Sequence, residues 1–141
     1  MQIAPARILV VEDHDDSRRM VEDMLVAAGF DVHTASNGAE ALRLLRSDIP
    51  DVIVLDLMLP WVNGVEVLAT IREQPLLSKI PVLVTTATAT VEHDLRAFQP
   101  LILLRKPIEL EAIVPAIEQL LGRRISLDGI RAIPTIDPEK T

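Results

Sequence analysis

The stretch VIVLDLMLP, residues 52–60, decides the fold of this chain. Its first four residues are the β-branched and aliphatic type found in strands that are covered on both faces, yet Asp56 follows them directly. An ionised carboxylate without partners in an apolar environment costs considerable free energy. Asp56 therefore either reaches solvent where its strand ends or is held there by charged partners for a chemical purpose.

Short apolar runs alternate with segments of helical periodicity along most of the chain. The runs are RILVV (7–11), FDVHTA (30–35), DVIVLD (51–56), IPVLVTT (80–86) and LILLRK (101–106). The helical segments are DDSRRMVEDMLVAAG (15–29), NGAEALRLLRS (37–47), NGVEVLATIRE (63–73), the shorter VEHDLRAFQ (91–99) and ELEAIVPAIEQLLGR (109–123). This alternation indicates an α/β fold with a doubly wound parallel sheet of five strands, and right-handed crossovers then place helices on both of its faces.

Composition narrows the class of protein. The 141 residues suit one domain, which we assign to residues 1–122, and the mixed polarity of residues 123–141 is typical of a tail or linker. A net charge of −7 argues against non-specific binding to nucleic acid or to an anionic membrane. The chain has no cysteine, which excludes disulfides and thiolate chemistry. Without a recognisable signal segment or an apolar run of about 18 residues, a cytoplasmic location is expected.

Polar side chains collect where the predicted strands end. In an open parallel sheet, ligands bind beyond the carboxyl ends of the strands, so these side chains share one edge. The set consists of Glu12, Asp13, Asp56, Thr85, Thr86 and Lys106. Carboxylate oxygens suit Mg²⁺, a carboxylate can attack phosphorus as a nucleophile, and a lysine can neutralise phosphoryl oxygens. Taken singly, each residue has an ordinary explanation as a strand-terminating acid, a solvated helix start or a strand threonine.

At these residues the sequence resembles the receiver domain of two-component response regulators, including the single-domain chemotaxis type. The resemblance covers about residues 7–121 and rests on ILVVEDHDDSRRMV, PDVIVLDLMLPWVNGVEVL, IPVLVTTAT and RKPIE. It implies a flavodoxin-like fold with strand order 2-1-3-4-5 and five flanking helices. It also implies a response regulator that accepts a phosphoryl group with Mg²⁺ and then switches conformation to regulate a partner.

The resemblance assigns roles position by position. Asp56 matches the phosphoacceptor, and Glu12 and Asp13 match the acidic pair that holds Mg²⁺. Met58 matches the position whose backbone carbonyl completes the metal shell. The remaining matches are the switch hydroxyl at Thr86, the phosphate-binding lysine at Lys106 ahead of Pro107, where family members often have a cis peptide, and the loop positions Pro60 and Gly64.

The expected partners also follow from the resemblance. They are a histidine kinase or phosphotransfer protein as donor, and a downstream protein or a second copy that binds the face of the fourth predicted helix, the fifth strand and the last helix. That face departs from the family at three positions. Leu103 stands where an aromatic is usual, Pro100 lies near a usual Gly-Ala pair, and Pro115 should kink the last helix.

Two other functions compete with this interpretation. A phosphatase or dehalogenase-like hydrolase would use an aspartyl intermediate, but such phosphohydrolases commonly carry a second Asp where this chain has Met58, and no cap domain fits the length. A degenerate receiver would act only as a binding or dimerisation module independent of phosphorylation, and the altered face keeps that alternative open. On the main hypothesis the chain is not an enzyme beyond its self-catalysed phosphoryl acceptance and slow autodephosphorylation.

Overall fold

The computed structural model describes residues 4–87 and 95–122. Within them, strands and helices alternate as the sequence patterns predict. The strands are β1 (Arg7–Val11), β2 (Asp31–Ala35), β3 (Val52–Asp56), β4 (Val82–Thr86) and β5 (Leu101–Arg105). The α-helices are α1 (Asp15–Ala27), α2 (Gly38–Ser47), α3 (Gly64–Glu73) and α4 (Leu110–Leu121), and a 3-10 helix spans Arg96–Phe98. Residues 91–94 of the shorter predicted helix and the predicted tail, 123–141, lie outside the described residues.

The five strands form one parallel sheet in the order β2-β1-β3-β4-β5, which confirms the predicted sheet and its strand order. Four of the five predicted helices are α-helices in the described residues, and the described part of the remaining segment, 91–99, contains the 3-10 helix Arg96–Phe98. The strand β3 is central and pairs with both β1 and β4. The chain moves outward from β1 to β2 and then in the opposite direction from β3 to β5, so the order of strands reverses beside β1 and β3. Open α/β sheets bind their ligands at such a reversal, beyond the carboxyl ends of the strands.

Burial of both sheet faces explains the nearly continuous apolar runs. Side chains alternate along β3, where Val52 and Val54 pack with the cluster that contains Leu25 of α1 and Ile117 of α4. The intervening residues of β3 pack with the opposite cluster, which contains side chains of α2 and α3. Full burial of each large aliphatic side chain stabilises the fold by about 1.5–3 kcal/mol, so two covered faces favour a strand with no polar positions.

The ends of the helices follow the local sequence. The side chains of Asn37 and Asn63 cap α2 and α3 by accepting hydrogen bonds from the N–H groups of Glu40 and Glu66. Gly29 adopts a φ of 98° directly after the last turn of α1, as expected of a residue that ends a helix. None of the helices in residues 4–87 and 95–122 is both long and apolar enough to cross a bilayer.

The last helix contains Pro115 in its interior. The helix α4 nevertheless continues from Leu110 to Leu121, and Gly122, with a φ of 70°, follows it as a left-handed cap. A proline in a helix removes one backbone hydrogen bond. The kink expected at Pro115 stays a prediction.

An arginine at the end of α3, which sequence patterns did not single out, ties together the loops that lead into β4 and β5. The Arg72 guanidinium donates to the carbonyl oxygens of Phe98 at 2.8 Å, Ile80 at 2.7 Å, Ser78 at 3.1 Å and Pro100 at 2.8 Å. Burial lowers the pKa of Arg72. These four carbonyls therefore satisfy a half-buried charge and hold the chain in place where it enters β5.

We expect Arg72→Met to lower the free energy of unfolding by about 3 kcal/mol, because hydrogen bonds to a charged group are lost and carbonyls are left without their donor. Urea unfolding measures the change. The control is Arg43→Met, which breaks only an exposed ion pair of 3.9 Å with Glu40 and should shift stability by less than about 0.5 kcal/mol. An equal loss in both variants would contradict the role given to Arg72.

Candidate functional site

Three strand ends bring charged side chains to one edge of the sheet. Glu12 and Asp13 follow β1, Asp56 ends β3, and Lys106 follows β5. Because side chains alternate along a strand, Asp56 lies on the same face as Val54, the face covered by α1 and α4. The structure therefore assembles the acidic and basic residues that the sequence places at these strand ends.

The Asp56 carboxylate is buried, with only 3% of the residue exposed. Its Oδ2 accepts a hydrogen bond from Lys106 Nζ at 3.1 Å, and its Oδ1 accepts one from the backbone N–H of Met58 at 2.9 Å. A buried carboxylate keeps its charge only when such partners replace water. Asp56 is therefore held in place by partners and does not escape to solvent.

Three carboxylates converge at this point. Glu12, Asp13 and Asp56 each offer an oxygen, and these oxygens lie within 4.8 Å of one another. Burial raises the pKa of Glu12, and the neighbouring charge of Asp56 adds to the increase. Several hard oxygen donors in one place, with an excess of negative charge, match the preference of Mg²⁺. The residues present therefore fit the metal that the sequence predicts.

Lys106 supplies the positive charge of the site. Burial acts to lower its pKa, but the hydrogen bond and charge of Asp56, together with the charges of Glu12 and Asp13, outweigh burial and raise it. Its Nζ lies 3.8 Å from Glu12 Oε1. The peptide bond between Lys106 and Pro107 is cis, as expected from the sequence. Lys106 therefore remains cationic near neutral pH and lies close to both buried carboxylates.

The two threonines at the end of β4 differ in position. Thr85 pairs with Asp56 in the sheet register, and both residues line one cavity, so the Thr85 side chain lies on the face of the acidic cluster. Thr86, the predicted switch residue, is fully buried, and strand alternation places its side chain on the face of α2 and α3, with Val84. Its backbone carbonyl accepts a hydrogen bond from Lys106 N–H at 2.8 Å. The main chain of Thr86 thus contacts the residue that carries the ammonium group of the site.

The loop after Asp56 folds back on itself. Gly64 donates its N–H to the carbonyl of Leu57 at 3.0 Å, and an added Cβ at Gly64 would lie 2.4 Å from the Leu57 Cα. Only glycine permits this approach. The same loop exposes Met58 and places Trp61, 88% exposed, at a φ of 65°, which is unusual for a bulky residue.

A cavity of about 250 Å³ opens beside the acidic cluster, between α1 and α4. Glu12, Asp56 and Lys106 form its polar end, and side chains such as Met20 and Ile113 form its apolar wall. The polar end is therefore accessible from outside although Asp56 itself is buried. A small anionic group could reach the Asp56 carboxylate and the Lys106 ammonium together.

Comparisons with known proteins agree with this geometry. The family described as response regulator receiver domain matches residues 8–118. The chain is 32% identical to the polar-differentiation response regulator DivK of Brucella anthropi, over 84% of this chain and 98% of DivK. It is 36% identical to the response regulator MprA of Mycolicibacterium vanbaalenii over 89% of this chain, but that match spans only 54% of MprA.

A solved structure resembles the fold closely. The receiver domain of the sensor histidine kinase PA1611 from Pseudomonas aeruginosa has a TM-score of 0.77 and 27% identity, with 84% of this chain and 99% of that domain covered. That structure holds a magnesium ion coordinated in its active-site cleft.

We expect Glu12→Gln to stabilise the metal-free protein near pH 7. A carboxyl whose pKa is raised in the folded state contributes stability below its unfolded pKa and loses that stability as the pH rises through its folded pKa. Removing the charge should raise the Tm by about 2–4 °C, the shift that roughly 1 kcal/mol produces in a chain of this size. Thermal unfolding in the presence of a chelator measures the change.

The gain should shrink below about pH 4, because glutamate is then protonated in both the folded and the unfolded state. Asp23→Asn, which removes the same charge from an exposed position on α1, serves as control and should leave the Tm nearly unchanged. A lower Tm for Glu12→Gln than for the native protein at pH 7 would show that the charge of Glu12 does not destabilise the metal-free fold.

Proposed function

The chain belongs to the response regulator receiver domain family, and from this premise we propose that Asp56 accepts a phosphoryl group from a histidine kinase or phosphotransfer protein. One observation carries the proposal. The Asp56 carboxylate is buried at the end of the central strand, 3.1 Å from the Lys106 ammonium and beside two further acids. Such an arrangement positions a carboxylate as nucleophile and supplies positive charge for an incoming anion.

Each residue of the site would have a separate role in the phosphoryl transfer. Glu12, Asp13, Asp56 and the backbone carbonyl of Met58 would hold Mg²⁺, which supplies positive charge for the phosphoryl oxygens when bound. An oxygen of Asp56 forms the new bond to phosphorus as the bond between phosphorus and the donor's histidine nitrogen breaks. Lys106 pairs with the Asp56 carboxylate before the transfer. Its ammonium group would pair with a phosphoryl oxygen afterwards, so that its positive charge stabilises both the reactant and the product.

We propose that the response then spreads through the ends of β4 and β5. The Thr86 hydroxyl would turn toward the new phosphoryl group, and the Thr86 carbonyl is already bonded to the Lys106 N–H. Leu103, where the family usually has an aromatic, is buried on the face of α2 and α3. A downstream protein or a second copy would sense the shift on the face of β5, α4 and the segment before β5, without a turning aromatic ring at that position.

Receiver domains are generally not metabolic enzymes, and we propose that this chain catalyses only its own phosphoryl acceptance and slow dephosphorylation. We keep residues 1–122 as the receiver and 123–141 as its tail or linker. We place the protein in the cytoplasm with its phosphoryl donor, and we propose that it binds neither nucleic acid nor membrane directly.

The degenerate-receiver alternative is not favoured, because the acceptor, the acidic pair and the lysine are all present and close together. A phosphohydrolase of this kind would need a second Asp, acting as general acid, where this chain has Met58.

Phosphorylation of Asp56 can be tested without the partner kinase. With acetyl phosphate or phosphoramidate and Mg²⁺, intact-mass measurement should show one added phosphoryl group, and Asp56→Asn should show none because its amide is a poor nucleophile. Asp23→Asn, on the exposed surface of α1, is the control and should keep the adduct. A protein with no adduct would be a degenerate receiver, an adduct that survives in Asp56→Asn would place the acceptor elsewhere, and turnover of a generic phosphate ester would favour a hydrolase.

Binding of Mg²⁺ should be visible through the single tryptophan of the chain, Trp61, five residues after Asp56. We expect saturating Mg²⁺ to change the Trp61 emission, since the metal would reorder the loop that follows Asp56. Asp13→Asn should weaken the apparent affinity, because it removes one of the three converging carboxylates. An emission spectrum that Mg²⁺ leaves unaltered would argue that the acidic site does not form near this loop.

A further inference from the structure

We propose that Arg18 is a positioning residue for the acidic pair, and that it sets the orientation of Asp13 by holding the Glu12 carbonyl. This inference rests on the proposed function, since it concerns the residues that would bind Mg²⁺. Arg18 lies in the first turns of α1, and its Nη1 donates to the backbone carbonyl of Glu12 at 3.0 Å. Among the contacts of the residues that the structure describes, none joins Arg18 to a carboxylate of Glu12, Asp13 or Asp56.

The Glu12 carbonyl belongs to the peptide unit that joins Glu12 to Asp13. A peptide unit is planar, so a hydrogen bond to its carbonyl also fixes the direction in which the Asp13 Cα leaves. The N–H of Glu12 is bonded to the Ala35 carbonyl at 3.0 Å, which anchors the preceding peptide unit to β2. The Glu12 side chain accepts a hydrogen bond from His14 N–H at 3.1 Å. The hydrogen bond from Arg18 to the Glu12 carbonyl therefore fixes the backbone from which Asp13, the exposed acid of the pair, extends.

Arg18 is itself held in place. Its Nη2 donates to Asp15 Oδ1 at 2.7 Å, and only 20% of its side chain is exposed. The planar guanidinium thus joins Asp15 on α1 to the end of β1 in one rigid fork. A lysine could carry the same charge, but a single ammonium group cannot reproduce this two-pronged geometry.

Charge and geometry predict opposite effects when Arg18 is removed. Arg18 adds positive charge near a site for a divalent cation, so on charge alone its loss should strengthen Mg²⁺ binding. If Arg18 orients Asp13, its loss should weaken Mg²⁺ binding because one ligand is no longer preorganised. The sign of the change in Kd therefore separates the two effects.

Arg19 provides a matched control. It is the next residue on α1, carries the same charge and is exposed. In the part of the chain that the structure describes, it donates no side-chain hydrogen bond to the loop of Glu12 and Asp13. Arg19→Met therefore removes an equivalent charge from the same region and leaves the Glu12 carbonyl contact intact.

The experiment titrates the full chain with MgCl₂ by calorimetry, for the native protein and for Arg18→Met, Arg18→Lys and Arg19→Met. We expect Arg18→Met to raise the Kd about tenfold, the effect of losing a hydrogen bond to a charged group. Arg18→Lys should lie between Arg18→Met and the native protein, and it serves as the test if Arg18→Met does not fold. Arg19→Met should bind as the native protein does, or slightly more tightly.

Hydrogen exchange without metal separates positioning from general destabilisation. In Arg18→Met, faster exchange should be confined to the amides of residues 12–17, with the strands protected as before. If the native protein binds Mg²⁺ and neither Arg18 variant binds it more weakly, the inference is wrong and the proposed function stands. Failure of the native protein to bind Mg²⁺ would overturn the inference and the proposed metal site together.

Discussion

A carboxylate buried at the end of the central strand is the constraint on which this structure depends. Asp56 is almost completely excluded from water, and removing an ionised group from water is too costly unless other charges and donors replace it. Lys106 and the Met58 N–H meet that need from the end of β5 and from the loop after β3. Both donors belong to residues outside the strands, and the loop that carries Met58 is closed by the tight approach of Gly64 to Leu57.

Three basic residues hold irregular segments to the regular framework, each in a different way. Lys106 neutralises carboxylates, Arg72 donates to carbonyls of the loops before β4 and β5, and Arg18 joins a carbonyl at the end of β1 to α1. The connection between β4 and β5 is thus held at both ends: where it leaves β4, by the bond from Lys106 N–H to the Thr86 carbonyl, and where it enters β5, by Arg72. The site and the face that would report on it share this strand.

The acidic cluster lowers the stability of the metal-free fold and provides oxygens that could hold a cation. Burial and the neighbouring charge of Asp56 raise the pKa of Glu12, so the charge of Glu12 opposes folding of the metal-free protein near neutral pH. A divalent cation would offset the repulsion between these charges, and the free energy released on binding is available to shift a conformational equilibrium. A site made of neutral, hydrogen-bonded groups would destabilise the fold less, but binding of a cation there would release less free energy.

The sequence by itself determined the order of strands and helices, the parallel sheet and the residues that stand at the strand ends, because apolar periodicity and alternation are local properties. The resemblance to receiver domains supplied the strand order and the cis peptide before Pro107. Only the tertiary structure decided that Lys106 bonds Asp56 across 50 residues of chain, and that Thr85 lines the same cavity as Asp56. It also decided the contacts of Arg72 and Arg18. The four acceptors of Arg72 and the Glu12 acceptor of Arg18 are backbone carbonyls, which every residue carries, so no pattern of side chains could have identified these contacts.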